Sequence, residues 1–167
     1  MSISLQELQD KLERLERENA ELKADHAYGG LSPAGLRVEF RNLSENDLFV
    51  VGLDLDGIHD LNNALGSYEA TDQIIRSAFT DFDFRSDDLI INNLVIFGRH
   101  KSGDEIAFII RGNPEGFIHR LYVALEKHGL SGIADFEQIQ NRDLQTALVK
   151  VFDKVLAAKN LRGKVSR

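Results

Sequence analysis

Two pairs of acidic residues stand next to apolar runs, where side chains can take part in chemistry. Asp54 and Asp56 end one apolar run, and Asp104 and Glu105 precede another at residues 106–110. Carboxylate oxygens are the ligands that Mg²⁺ prefers. Two carboxylates held side by side repel each other, so a divalent cation would relieve the repulsion. Without a cation, the pKa of one carboxyl group should rise.

The two apolar runs predict neighbouring strands. Residues 48–53 and 106–110 are almost entirely apolar, which is typical of buried strands. Gly103 permits a tight turn before the second run. Because adjacent strands lie about 4.8 Å apart, their pairing would bring Asp54 and Asp104 within reach of one cation. The alternative is that these acids are solvated turn residues, which are common at strand ends.

The composition indicates one globular domain with a short appendage. The chain has 167 residues and is 43% hydrophobic, which is enough for a core. Its formal charge of −7 argues against general nucleic-acid binding, which depends on clustered Lys and Arg. The chain has no cysteine, so disulfides and thiolate metal sites are excluded. No signal peptide is recognisable, and no apolar run approaches the ~20 residues that cross a bilayer, so we expect a cytoplasmic protein without membrane contact.

The N-terminal residues predict a parallel coiled coil. The leucines at heptad positions a and d are Leu5, Leu8, Leu12, Leu15 and Leu22. Asn19 occupies the next a position, and a single Asn at a specifies a parallel pair in register. The alternative, an amphipathic helix packed on its own domain, fits less well because the apolar stripe is narrow. We therefore expect residues 1–28 to be a coiled-coil helix through which the protein forms a homodimer.

Helix-breaking residues follow the coiled coil. Gly29, Gly30 and Pro33 disfavour a continuous helix, so we expect a hinge at residues 29–36 and a domain at residues 37–167. Within the domain, the sequence predicts helices at 57–64, 69–79, 114–127 and 142–160 and a short strand at 130–134.

Main-chain amides at the first strand-to-helix turn form a candidate phosphate site. The N–H groups of Gly57 and Ile58 stand at the start of a helix that follows a strand, an arrangement that suits phosphate oxygens. Beside the acidic hairpin, Arg99, His100 and Lys101 are candidates to supply positive charge to a phosphate group. The alternative role of these three is to keep the turn soluble.

Two stretches resemble the GGDEF family of diguanylate cyclases. The chain reads Asp-Leu-Asp-Gly-Ile-His-Asp-Leu-Asn-Asn-Ala-Leu-Gly from Asp54 and Ser-Gly-Asp-Glu-Ile from Ser102. The family carries Asp-x-Asp-x-Phe-Lys-x-x-Asn-Asp-x-x-Gly before a Gly-Gly-Asp-Glu-Phe hairpin. The resemblance implies an α+β fold with a palm-like (ferredoxin/adenylyl-cyclase-like) βαββαβ core and a mostly antiparallel sheet flanked by helices.

The resemblance implies a role for each matching position. The catalytic positions are Asp54, Asp104 and Glu105, and the ligands of Mg²⁺ or Mn²⁺ are Asp54, the Leu55 carbonyl and Asp104. The substrate-binding positions are Gly57, Ile58, His59, Asn62, Asp72, Gly103, Lys159 and Arg162. Among these, Asn62 and Asp72 match the pair that reads guanine. Arg85 and Asp88 match a product-inhibition site found in many members, with a solvated turn as the alternative because more residues than usual separate them from the hairpin.

Several positions depart from the family pattern. His59 stands where the family usually has a phosphate-contacting Lys, and a neutral His supplies less charge. Ser102 and Ile106 replace the first Gly and the Phe of the hairpin, and the Gly and Arg of the C-terminal Ala-Lys-x-x-Gly-Arg segment are transposed.

We expect a dimeric nucleotidyl cyclase that condenses two GTP molecules into cyclic di-GMP and releases pyrophosphate. The departures leave two alternatives open. One is a catalytically silent GGDEF-like domain that binds a nucleotide or a partner protein. The other is a palm-type cyclase that uses another nucleoside triphosphate and makes a different cyclic nucleotide.

Overall fold

The strand β1 (Leu48–Leu55) lies inside a four-stranded sheet. The computed structural model describes residues 3–23, 28–81, 94–101 and 104–165. The other strands are β2 (Leu94–Arg99), β3 (Glu105–Arg111) and β4 (Gly132–Gln138), and the sheet order β2-β3-β1-β4 is antiparallel throughout. The helices are α1 (Leu5–Lys23), α2 (Pro33–Asn42), α3 (Ile58–Leu65), α4 (Tyr68–Asp81), α5 (Pro114–Lys127) and α6 (Leu144–Val165). The predicted α+β class, with an antiparallel sheet flanked by helices, is confirmed.

Helices cover both faces of the sheet. On one face, Phe108 of β3 belongs to a core that includes Ile75 of α4 and Leu121 of α5. On the other face, the next residue, Ile109, belongs to a core that includes Leu148 of α6. Successive side chains of a strand point to opposite faces, so a strand covered on both sides is apolar throughout. This explains why the sequence of β3 shows an unbroken apolar run.

Most helices lie close to their predicted positions. Gly66, in the left-handed region with φ 72°, ends α3 two residues before α4 begins. Asn113 caps α5 by accepting a hydrogen bond from the N–H of Gly116 over 3.1 Å, and Pro114 occupies the first turn. Helix α6 continues to Val165, five residues beyond the predicted end.

Helix α2 begins within the segment that the sequence marked as a hinge. Ser32 Oγ accepts a hydrogen bond from the N–H of Gly35 over 3.0 Å, and Pro33 occupies the first turn. This combination favours a helix start. Leu36 is fully buried. Residues 33–36 are therefore helical and packed on the sheet, which differs from the expected hinge at 29–36, because a Ser-Pro pair that ends one helix also starts another.

The segment before α2 lies along strand β2, at one edge of the sheet. Leu31 forms a parallel bridge with Gly98. The Leu31 N–H donates to the carbonyl of Phe97 over 3.0 Å, and the N–H of Arg99 donates to the Leu31 carbonyl over 2.9 Å. A side chain at Gly98 would come within 2.6 Å of the Leu31 oxygen, so this close approach requires glycine.

Side chains cover part of β4, at the other edge. The Tyr122 hydroxyl accepts a hydrogen bond from the N–H of Ala134 over 2.8 Å and lies 3.3 Å from the carbonyl oxygen of the same residue. Lys154 Nζ donates to the carbonyl of Phe136 over 2.9 Å. Main-chain groups that face away from β1 are thereby satisfied by side chains.

Helix α1 exposes its leucine stripe. Leu5, Leu12 and Leu15 are 73%, 56% and 43% exposed. The predicted homodimer through this stripe stays a prediction, and residues 24–27 of the predicted coiled coil lie outside the described residues. Neither α1 nor any other described helix is long and apolar enough to cross a membrane.

Candidate active site

Acidic residues meet where β1 ends and β3 begins. Asp54, near the end of β1, pairs with Glu105, the first residue of β3. The N–H of Leu55 donates to the carbonyl of Asp104 over 3.2 Å, which holds the residue before β3 against the end of β1. The predicted pairing of the two apolar strands therefore brings these residues together at one end of the sheet. Their catalytic and metal-binding roles stay predictions.

The charge of this acidic group is only partly balanced. Burial and the Asp54 carboxylate raise the pKa of Glu105, whereas Lys101 and Lys159 act in the opposite direction. The net result is a raised pKa, so the two lysines do not offset burial and repulsion together. The rise that the sequence predicted for the pair of Asp54 and Asp104 stays a prediction, and the raised pKa belongs to their neighbour Glu105.

Two cations from α6 bind the acidic end of β1. Lys159 Nζ lies 3.2 Å from Asp54 Oδ2, and an Arg162 Nη2 atom lies 2.6 Å from Asp56 Oδ1. Its hydrogen bond with Asp56 raises the pKa of the Arg162 guanidinium. Ser131 Oγ donates to the second oxygen of Asp56 over 3.1 Å. These two residues, which were predicted to bind substrate, therefore lie at this end of the sheet, each paired with a carboxylate.

Asp56 is a site residue to which the family resemblance assigned no role. It lies two positions after Asp54, and residues at this spacing on an extended chain project to the same side. That spacing was the available signal for a second acid at the site. Its partner Arg162 was predicted to bind substrate, and in the structure the Arg162 guanidinium forms an ion pair with Asp56.

Tyr28 reaches the same end of the sheet from the segment before α2. Its hydroxyl donates a hydrogen bond to Asp104 Oδ1 over 3.2 Å. The Arg99 guanidinium carbon lies 4.0 Å from the centre of the Tyr28 ring. Burial and the Asp104 carboxylate raise the pKa of the Tyr28 hydroxyl, so it stays a donor at neutral pH. No sequence pattern links two residues 76 positions apart, so this contact was not predicted.

Helices α3 and α4 carry the positions predicted to read the base. Asn62 lies on α3 and Asp72 on the neighbouring helix α4. Asn62 Oδ1 is buried and has no hydrogen-bond partner among the described residues. A buried acceptor without a partner is costly, so a ligand N–H group at this oxygen would be favoured.

The three predicted substrate positions at the start of α3 have different surroundings. Gly57 is left-handed with φ 64°, and no atom of the described residues lies within 4 Å of where a side chain would begin. Ile58 is 8% exposed and its side chain packs in the core. His59 is exposed, and its Nε2 atom lies 3.3 Å from the amide nitrogen of Asn63. The structure thus leaves open space beside Gly57, where a ligand can approach the main chain.

The hairpin residue His100 does not add positive charge. It is 3% exposed, and its ring stacks on Phe152 with centroids 4.6 Å apart. Burial, together with the charges of Arg37 and Lys101, lowers the pKa of His100 to about 4. The ring is therefore neutral at physiological pH, and the prediction of a phosphate-binding cation is wrong for this residue. Its apolar surroundings decide its charge, and the sequence does not reveal them.

Three predicted positions cannot be compared with the structure. Gly103, Arg85 and Asp88 lie outside the described residues. Their roles in substrate binding and product inhibition stay predictions.

The oxygen donors at this end of the sheet fit a hard divalent cation by their chemistry. Asp54 and Asp104 contribute carboxylates, and Leu55 contributes a main-chain carbonyl. Burial and the Asp54 carboxylate both disfavour the charged form of Glu105, and a nearby cation would oppose both effects. In the part of the chain that the structure describes, no three His, Cys, Asp or Glu side chains form a group able to hold a metal ion. The predicted Mg²⁺ or Mn²⁺ site accordingly relies on a main-chain ligand, and it stays a prediction.

Crystal structures of GGDEF domains are similar to this fold. The coiled coil and GGDEF domain of DgcB from Caulobacter crescentus, solved with c-di-GMP, is 16% identical; the match covers 92% of this chain and 89% of that one, with a TM-score of 0.69. The diguanylate cyclase SiaD from Pseudomonas aeruginosa, solved with its activator SiaC, is 14% identical, with coverages of 93% and 66% and a TM-score of 0.61. The apo S helix-GGDEF-EAL structure of Vibrio cholerae LapD is 17% identical, with coverages of 89% and 37% and a TM-score of 0.66.

These likenesses define the fold as that of a GGDEF domain preceded by a helix, as the sequence motifs predicted. No protein-family model matches the sequence, and no curated protein matches it either.

Proposed function

We propose that the protein is a dimeric nucleotidyl cyclase that condenses two GTP molecules into cyclic di-GMP and releases two pyrophosphates. The observation that carries this proposal is the meeting of Asp54, Asp104 and Glu105 with Lys159 at one end of the sheet. Acids and a cation at one place suit the transfer of a nucleotidyl group from a triphosphate to a hydroxyl group. Because nucleoside triphosphates are made and used in the cytoplasm, the proposal also implies that location.

The substrate lies along the turn before α3 in this proposal. Main-chain N–H groups of Gly57 and Ile58 at the start of α3 bind phosphate oxygens, and the open space beside Gly57 lets the phosphates approach. Asn62 and Asp72 bind the guanine edge, where Asn62 Oδ1 accepts an N–H and a carboxylate accepts two. Lys159 leaves Asp54 to bind the triphosphate, an exchange of one anionic partner for another.

The carboxylates organise the reacting groups. Asp54, the Leu55 carbonyl and Asp104 would hold a divalent cation, which when bound would supply a Lewis acid that lowers the pKa of the attacking hydroxyl. Glu105 lies beside these ligands, and its raised pKa brings it closer to the range of a general base. Lys159 and Arg162 stabilise the negative charge of the departing pyrophosphate.

Each cycle joins two nucleotides supplied by two protomers. The 3′-oxygen of one GTP attacks the α-phosphorus of the other, a P–O bond to the β-phosphate breaks, and the hydroxyl proton passes to a base or to water. A second, symmetric transfer closes the ring and releases the second pyrophosphate. Each active centre needs two half-sites, so pairing through the exposed leucines of α1 raises the effective concentration of the second half-site to roughly millimolar.

The test is product identification. Purified protein is incubated with Mg²⁺ or Mn²⁺ and each nucleoside triphosphate, singly and mixed, and products are identified by mass spectrometry. Cyclic di-GMP that disappears in Asp104→Asn supports the proposal. A cyclic product with another base would instead favour a palm-type cyclase with different specificity.

A catalytically silent domain that binds a nucleotide or a partner protein is the second candidate. Exposed His59 at the usual Lys position and the ion pairs of Lys159 and Arg162 favour it, because they leave less free positive charge for a triphosphate. Binding of GTP without its consumption, measured by calorimetry and chromatography on the same sample, would decide for this candidate.

A further inference from the structure

Tyr28 connects the segment that follows α1 to an acid of the candidate active site. Its ring is only 5% exposed and belongs to the core under the sheet. Its hydroxyl lies 3.2 Å from Asp104 Oδ1, and the donor is the tyrosine. Packing alone does not account for this contact, because a buried phenylalanine would fill the same core without a hydroxyl.

The position of Tyr28 is fixed on two sides. The guanidinium of Arg99 lies over its ring at 4.0 Å, a distance typical of a cation–π contact. Three residues later, Leu31 is bound to strand β2 by main-chain hydrogen bonds of 3.0 and 2.9 Å. A side chain on Gly30 would come within 2.6 Å of the Phe97 ring, so the chain between these two anchors also lies tightly against β2. The hydroxyl is therefore presented to Asp104 from a firmly held segment.

We propose that Tyr28 is a positioning residue for Asp104. The hydrogen bond uses Oδ1 of the carboxylate and orients the group so that Oδ2 remains for a divalent cation. Outer partners of metal ligands typically change metal affinity or activity about 10–100-fold when they are lost. The inference rests on the proposed function, since it assumes that Asp104 binds a cation, and it adds a residue from outside both motifs.

The experiment measures Mn²⁺ binding by calorimetry in the full chain without nucleotide. Tyr28→Phe keeps the ring and removes only the hydroxyl, and Tyr68→Phe is the matched control because Tyr68 is 74% exposed. We expect Tyr28→Phe to raise the Kd for Mn²⁺ about tenfold, Tyr68→Phe to leave it unchanged, and Asp104→Asn to raise it at least as much as Tyr28→Phe does. The thermal unfolding midpoint of each variant, recorded without metal, separates a loss of positioning from a loss of folding.

Two outcomes overturn the proposal. In the first, Tyr28→Phe binds Mn²⁺ as tightly as the parent protein while Asp104→Asn does not. In the second, the parent binds no Mn²⁺ or Asp104→Asn leaves the affinity unchanged, so that Asp104 has no cation to hold. The cyclase proposal fails separately: if Mn²⁺ binding depends on Tyr28 but no triphosphate is consumed, the positioning role stands and the activity does not. In an active protein, excess Mn²⁺ should restore the kcat of Tyr28→Phe.

Discussion

Lys159 and Asp54 form an ion pair between the last helix and the first strand, with Nζ 3.2 Å from Oδ2. The lysine side chain is 41% exposed and the aspartate side chain 18%, so the ion pair is accessible from solvent. A cation that binds Asp54 would compete with this lysine for one carboxylate, because the two positive charges repel each other. A triphosphate, by contrast, offers the lysine another anionic partner.

Replacing Lys159 should therefore have opposite effects on the two ligands. In Lys159→Gln, Mn²⁺ should bind several-fold more tightly without nucleotide because its competitor is gone. GTP should bind about tenfold more weakly or worse, since a hydrogen bond to a charged group contributes about 1.5–3 kcal/mol. Both affinities are measured by calorimetry, with Lys150→Gln on the same helix as the control. Equal loss of both ligands would contradict competition at Asp54.

The pKa of Glu105 should respond to its two charged neighbours. Asp54→Asn removes a negative charge and should lower the pKa toward its ordinary value of 4.5, whereas Lys159→Gln should raise it further. The side-chain carboxyl carbon of Glu105 can be followed by NMR during a pH titration. Lys154→Gln, whose lysine pairs with Glu137 instead, is the control. If the pKa of Glu105 is the same in Asp54→Asn as in the parent protein, the two carboxyl groups are not close to each other.

Glu105 also links stability to pH. Because its pKa is raised in the folded state, the folded protein holds this proton more tightly than the unfolded chain does. Its contribution to stability is therefore fully present below pH 4.5 and is lost as pH rises through the folded-state pKa.

His100 should make the protein less stable in mild acid. The pKa of His100 falls from 6.5 to about 4 on folding. At pH values between these two, the unfolded chain binds a proton at His100 and the folded chain does not. The free energy of unfolding should drop by about 2 kcal/mol between pH 7 and pH 5 from this group alone. His100→Phe preserves the stacking on Phe152 and should remove that part of the pH dependence. Denaturant unfolding of both proteins at each pH gives the comparison.

A matched control for His100 is His119→Phe, on helix α5. If the parent protein and His100→Phe lost the same stability as the pH fell, the pKa of His100 would not be lowered by folding. In that case the ring must reach water in the folded protein, contrary to its 3% exposure.

Charges placed in the leucine stripe should separate the protomers. Leu12→Asp combined with Leu15→Asp puts acids at adjacent a and d positions, where a coiled coil buries apolar side chains. Sedimentation at micromolar concentration should then show a monomer, and product formation should fall more than tenfold because the half-sites are no longer tethered. Arg17→Ala, on the outer face of the predicted coil, is the control. A monomer with full turnover would rule out the two-protomer mechanism.

The pairing of β1 with β3 was predictable because it depends on local pattern. Two apolar runs next to acidic residues indicate buried strands. The two sequence motifs then identify these runs as neighbouring strands of the sheet. The register that places Asp54 opposite Glu105 was not predictable in this way, because strands that are buried on both faces show no alternation to fix it. The capping of α5 by Asn113 was predictable from local pattern, since its partner is three residues away.

The remaining contacts depend on tertiary structure. The Tyr28–Asp104 hydrogen bond and the Arg162–Asp56 ion pair join residues far apart in sequence, and neither is visible until the sheet and α6 are assembled. His100 appeared as a surface cation because its type is polar, and only its burial against Phe152 shows that it is neutral. The sequence analysis did not predict the start of helix α2, because Pro33 was interpreted only as a helix breaker.

The covering of the sheet edges limits how copies of this protein can associate. Leu31 occupies main-chain groups at β2, and Tyr122 and Lys154 occupy those at β4. An exposed edge strand is a template for pairing with another chain. With these groups already bonded, addition of a strand from a second molecule is disfavoured at both edges. Assembly is thereby directed to side-chain surfaces, and the sheet is protected from fibril-like growth.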